Sequence, residues 1–116
     1  MEHPPSLPGR FDSPLLPLSA SAGVNFAVTH GRGTPPRSVS WYLVNITTEN
    51  AWQPGDQMDV FSGQMANNAF TKWMNAMQVG LRGNNTIQTT YYAAKDTGSS
   101  FNITAAKWKL KCVCDW

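Results

Sequence analysis

The chain has 116 residues, a net charge of +2 and only 14% charged residues, against about 25% in ordinary soluble domains. That leaves room for one domain with a modest core. It also excludes an electrostatic footprint for nucleic acid, because the nine Lys and Arg are scattered apart from Lys107, Lys109 and Lys111. No apolar stretch approaches the roughly 18 residues of a membrane span, and the N-terminus lacks the basic region and apolar run of a signal peptide. The polar surface must be largely Ser, Thr, Asn and Gln, which is cheap to desolvate and suits assembly or sugar contact.

Residues 1–23, "MEHPPSLPGRFDSPLLPLSASAG", hold five of the eight prolines. Proline removes backbone donors and favours extended chain. The segment reads as an arm, neither helix nor central strand. Its apolar residues Phe11, Leu15, Leu16 and Leu18 read either as incidental to a floppy terminus or, in preference, as those of an arm that docks in a groove of a neighbouring subunit and orders on assembly. On this reading residues 24–116 are the domain, and removal of residues 1–21 leaves it folded.

From Val24 the pattern is β. Val24, Phe26 and Val28 alternate on one face. In the next run Val39, Trp41 and Leu43 share one face and Tyr42, Val44 and Ile46 the other, so that strand reads as covered on both sides. "QPGDQMDVFSG" places a Pro-Gly-Asp turn before a short strand from Met58 to Phe61. The segment Ala66–Met77 carries Phe70, Trp73, Met74 and Met77 at helical spacing. Asn67, Asn68 and Asn75 weaken a helix, so it reads as a short helix or, in preference, a loop anchored by its aromatics. Met77, Val79 and Leu81 alternate in the following run, and "TIQTTYYAA" reads as a further strand. In the last run Trp108, Leu110, Cys112, Cys114 and Trp116 share one face, opposite the three lysines, which would protect the strand if it lay at an edge. Short strands with turns between them predict an all-β, antiparallel sandwich with an extended N-terminal arm.

Little in the chain signals catalysis. His30 precedes "GRG" and reads as a turn histidine that caps local backbone. Asp56 reads as a turn former. No serine stands in a nucleophile elbow, and neither a phosphate loop nor zinc spacing occurs. The expectation is therefore no catalytic residue, no metal site and no cofactor. Cys112 and Cys114 point to the same face of a strand, a poor geometry for a mutual disulfide, and read as buried thiols or as partners of another chain. Asn45, Asn84 and Asn102 head three sequons, of consequence only in a protein secreted by a eukaryote. Among the five tryptophans, Trp41 and Trp108 read as core. Trp52 and Trp73 read as lying in longer connections, where they can cover the sandwich ends or make surface contact with sugars or proteins. Trp116, the last residue, needs a surface to bury it.

The order of these motifs carries a resemblance. "HGRGTPPRSVSWYLVNITTEN", then "WQPGDQMDV", "NAMQVGLRGNNTI" and "FNITAAKWKLKC", resembles a small β-sandwich module of tailed-bacteriophage structural proteins, found in fibre proteins and as free-standing virion proteins. The layout is also similar to the H-type lectin sandwich, which forms trimers. The resemblance covers about residues 24–116. It implies a jelly-roll or H-type-lectin-like fold and a non-enzymatic, trimeric virion protein of fibre, tail or head-decoration type. Its partners would be copies of itself, other virion proteins and host surface glycans, with no nucleic acid and no membrane insertion. A capsid cement protein and a free lectin are the alternatives. No lectin ligand residue maps onto this chain, and none is carried over.

Overall fold

The computed structural model describes residues 9–18, 24–63, 70–83, 87 and 90–116. The fold is all-β, and its antiparallel sheets pack together as in a β-sandwich. The ten strands among the described residues are β1 (Arg10–Asp12), β2 (Leu16–Pro17), β3 (Val24–Thr29), β4 (Ser38–Asn45), β5 (Gln57–Asp59), β6 (Phe70–Met74), β7 (Gln78–Gly83), β8 (Tyr91–Ala93), β9 (Ser100–Asn102) and β10 (Trp108–Asp115).

The first sheet is built on β4 and β10, which pair along their full eight-residue lengths. The alternation seen in the sequence sets this register. Leu43 opposes Leu110, Trp41 opposes Cys112 and Val39 opposes Cys114, all six facing inward. A slip of one residue would carry every one of them to the opposite face. β5 flanks β4, while β1 and β2 flank β10. β10 is therefore central, and its lysines line the outer face of an interior strand rather than guarding an edge.

The second sheet runs β3–β7–β6. Val24, Val79 and Leu81 turn inward and are buried. They meet Trp41, Leu43, Trp108 and Leu110 of the first sheet in one core, which Met58, Val60, Ile87, Tyr92 and Ile103 complete. The β8–β9 hairpin closes over this core through Tyr92, whose hydroxyl donates to Val60 O at 2.8 Å. Burying Trp41 and Trp108 removes some 150–250 Å² of side chain each from water, the largest single contributions to the core.

Three expectations are corrected. Phe70–Met74 form β6, neither a helix nor a loop, because pairing with β7 overrides local propensity; residues 66–69 lie outside the described set. The strand expected over Met58–Phe61 ends at Asp59, and Val60–Ser62 form a 3-10 turn capped by Asp59 Oδ1, which accepts from Phe61 N at 2.8 Å. The boundary drawn between residues 23 and 24 also fails for the described part of the arm. β1 and β2 belong to the first sheet, antiparallel to β10, in register Phe11↔Cys114 and Leu16↔Leu110. Residues 1–8 and 19–23 lie outside the described set.

Candidate functional site

Of the four apolar arm residues, Phe11, Leu16 and Leu18 pack against the chain's own core. Leu15 points away and is 46% exposed. The prolines permit this because the strand is split. β1 ends at Asp12, Pro14 sits in the gap, and β2 resumes at Leu16 as an edge strand, where a missing N–H costs no ladder bond. In the gap Ser13 stands in for the backbone. Its N–H donates to Cys112 O, its Oγ accepts from Cys112 N at 2.9 Å and the same hydroxyl donates to Pro14 O.

Trp52 and Trp73 stand on different elements with different neighbours. Trp52 closes a bridge with Glu49, each residue's N–H donating to the other's carbonyl. The two residues between them, Asn50 and Ala51, both have positive φ, 51° and 69°, the signature of a type I′ turn. The Trp52 indole donates to Ala93 O at 3.1 Å, meets Trp108 edge to face at 6.1 Å and lies beneath Lys95 Nζ at 5.8 Å. Lys95 also pairs with Asp56 at 2.7 Å. Glu49 ties this corner together: Thr104 N and Oγ1 and Trp108 Nε1 all donate to its carboxylate, at 3.0, 2.6 and 2.9 Å. Burial pushes the Glu49 carboxyl up, but those hydrogen bonds, from Thr104 and then Trp108, outweigh it and hold the group below its ordinary value. Next to the Ala93 side of Trp52 lies a cleft of about 200 Å³ lined by Ser62, Tyr91, Tyr92, Ala93, Gly98 and Ser100. Trp52 is thus a packed corner post whose polar atom is engaged.

Trp73 lies on β6 rather than in a connection. Because Val79 and Leu81 face the core, Gln78, Gly80 and Arg82 of β7 face outward. Trp73 pairs with Gly80 and its indole lies across that glycine, where a Cβ would meet the ring at 2.1 Å. On the other side of Gly80 is Ala27. The outer face of β3–β7–β6 therefore carries three rows: Asn25–Arg82–Thr71, Ala27–Gly80–Trp73, and Thr29–Gln78. All of these except Trp73, Gly80 and Gln78 are exposed. The seating of Trp73 on Gly80 depends on a strand pairing that alternation does not specify.

His30 caps backbone, as its place before the glycine turn led us to expect. Its Nε2 bonds Asn75 O and its Nδ1 accepts from Arg32 N, both at 3.1 Å, which fixes the Nε2–H tautomer. The Gly31–Arg32–Gly33 turn, with both glycines at positive φ, folds around Trp116. His30 meets that indole edge to face at 4.9 Å, Arg32 lies over it at 4.5 Å, and its Nε1 donates to Thr34 O. The last tryptophan thus finds its cover in its own domain.

Cys112 and Cys114 are free, buried thiols. Contact with the Cys112 sulfur and burial push the Cys114 thiol up, which makes it a poor nucleophile. Among the described residues no group of three or more His, Cys, Asp and Glu is placed to hold a metal ion. Among the described residues no helix is long and apolar enough to cross a membrane. Asn45 is 1% exposed and hydrogen-bonded to Thr47 O and Lys107 O, so the first sequon is inaccessible in the folded chain. Asn102 is exposed, with its amide donating to Thr90 O; Asn84 lies outside the described residues.

No family model, curated protein or solved structure matches the chain. What the chain does has therefore to be argued from its own surfaces, and the outer face around Trp73 brings an aromatic ring, a guanidinium and neutral polar side chains together on one sheet.

Proposed function

We propose that the chain is a non-enzymatic surface component of a tailed-bacteriophage virion, a small trimeric β-sandwich that works by contact with other virion proteins or with the host surface. One observation carries the non-enzymatic part. The groups best suited to proton transfer are held in loop architecture: both ring nitrogens of His30 and both carboxylate oxygens of Glu49 are in hydrogen bonds. A general base has to reach a substrate proton, and these are spent on the fold. The order of the turn and strand motifs supports the virion assignment. The low charge and the Asn- and Thr-rich surface support stable assembly.

Gold-labelled antibody on intact particles, viewed by electron microscopy, tests this reading. Label over the head supports a decoration or cement role; label on the tail or fibres supports host attachment. Particles without label would refute the virion assignment. A monomer by light scattering at micromolar concentration would refute the trimer. The free-lectin alternative draws on the open face around Trp73, since an indole on an exposed polar sheet is a surface on which sugar rings stack.

A further inference from the structure

We propose that the outer face of β3–β7–β6 binds an acidic pyranose, a uronate unit of a polysaccharide, with its ring on the Trp73 indole and its carboxylate on Arg82. The inference rests on reading the chain as one that works by surface contact. It does not depend on whether that contact is made from a particle.

Three features of this face carry it. The first is the seat of Trp73. A glycine at position 80 lets the indole settle against the sheet backbone, which holds the ring in one orientation and lowers the entropy lost on binding. Trp73 is half-buried, so the residue keeps some access to solvent. The second is the position of Arg82. Thr71 opposes Arg82 and Trp73 opposes Gly80, so Arg82 and Trp73 are diagonal neighbours on one face. Such positions lie about 7–8 Å apart, within reach of one sugar ring and its substituents. The third is that the Arg82 guanidinium is exposed and makes no hydrogen bond or ion pair among the described residues. A planar fork with unused donors matches a carboxylate in bidentate geometry. Asn25 and Thr71, on either side of Arg82, supply neutral donors and acceptors for hydroxyls.

The seating of an aromatic ring on a strand glycine also fills the space that glycine leaves, and fold stability alone would account for that contact. It would not account for a guanidinium without a partner among the described residues, placed diagonally to the ring with amide and hydroxyl groups beside it. A neutral glycan would use the ring but not the fork. An acidic peptide would use the fork but not the ring.

Affinity electrophoresis of the full chain in gels containing polygalacturonate, dextran or polyglutamate tests the proposal. The expected result is retardation by polygalacturonate alone. Trp73→Ala and Arg82→Gln should each weaken it by about tenfold or more. Arg82→Gln changes an exposed side chain with no partner among the described residues and keeps the fold, so its result stands even if Trp73→Ala is unstable. No retardation by polygalacturonate would overturn the proposal. Equal retardation by dextran would remove the acidic specificity, and equal retardation by polyglutamate would remove the sugar. Undiminished retardation of Arg82→Gln would move the site elsewhere. A failure here beside positive particle labelling would sink this site and leave the virion reading standing.

Discussion

The hydroxyl of Ser13 takes the place of a backbone carbonyl opposite Cys112. Ser13 Oγ accepts from Cys112 N at 2.9 Å in the gap between β1 and β2, where Pro14 breaks the edge strand. Both residues are buried. A central strand is thereby satisfied on its proline-interrupted side by one side chain. Ser13→Ala leaves the Cys112 N–H buried and unpartnered, at a cost of about 1–3 kcal/mol, which should lower the urea midpoint. A midpoint equal to wild type would mean that the hydroxyl does not carry this bond. The same contact revises the expected effect of truncation. Removal of residues 1–21 strips β1, β2 and Ser13 from β10 and uncovers Phe11 and Leu16 contacts to the core, so the remainder should be destabilised rather than left intact.

Gly80→Ala should disturb Trp73 specifically. A Cβ at position 80 would sit 2.1 Å from the indole, so the ring has to lift off the sheet. Overpacking of this kind costs roughly 1–3 kcal/mol. The lifted ring gains exposure, so tryptophan fluorescence should shift to the red in the native state. Unchanged emission and an unchanged melting temperature would show that the ring is not seated there in solution.

Ala51→Gly should stabilise the protein. Ala51 sits at φ 69° in the two-residue turn between Glu49 and Trp52. An L-residue with a Cβ pays roughly 1–2 kcal/mol for that conformation, and glycine avoids it. Part of the gain is lost to the greater freedom of glycine in the unfolded chain, which leaves an expected rise of about 0.5–1 kcal/mol. A lower melting temperature would argue that the turn opens in solution.

Acid should weaken the Glu49 corner. Burial raises the Glu49 carboxyl, and hydrogen bonds from Thr104 and Trp108 lower it by more, so the folded value lies below the ordinary 4.5. A group depressed on folding contributes stability that is present above its unfolded value and lost as pH falls through its folded value. Stability should therefore decline below about pH 4.5, and Glu49→Gln should flatten that decline. Identical pH profiles for the two proteins would assign the acid sensitivity to other carboxylates.

Much of the fold was legible in the chain because side chains on a strand alternate with period two. That rule placed Val39, Trp41 and Leu43 on one face of β4, and Trp108, Leu110, Cys112 and Cys114 on one face of β10. It also placed Val79 and Leu81 on one face of β7. It did not identify β6, because Phe70, Trp73, Met74 and Met77 fit helical spacing and fall on both faces of a strand, so that only pairing with β7 reveals the strand.

Partners across space were decided by the tertiary structure alone. Composition and alternation determined an all-β chain with a low-charge surface, a capped turn at His30 and two cysteines on one strand face, since each of these is local. The docking of β1 and β2 on β10, the hub of Glu49 with Thr104 and Trp108, and the seat of Trp73 on Gly80 join residues far apart in the chain or choose one neighbour among several. Periodicity specifies which way a side chain points. It carries no information on which strand lies alongside, and that choice falls to the packing of the whole core.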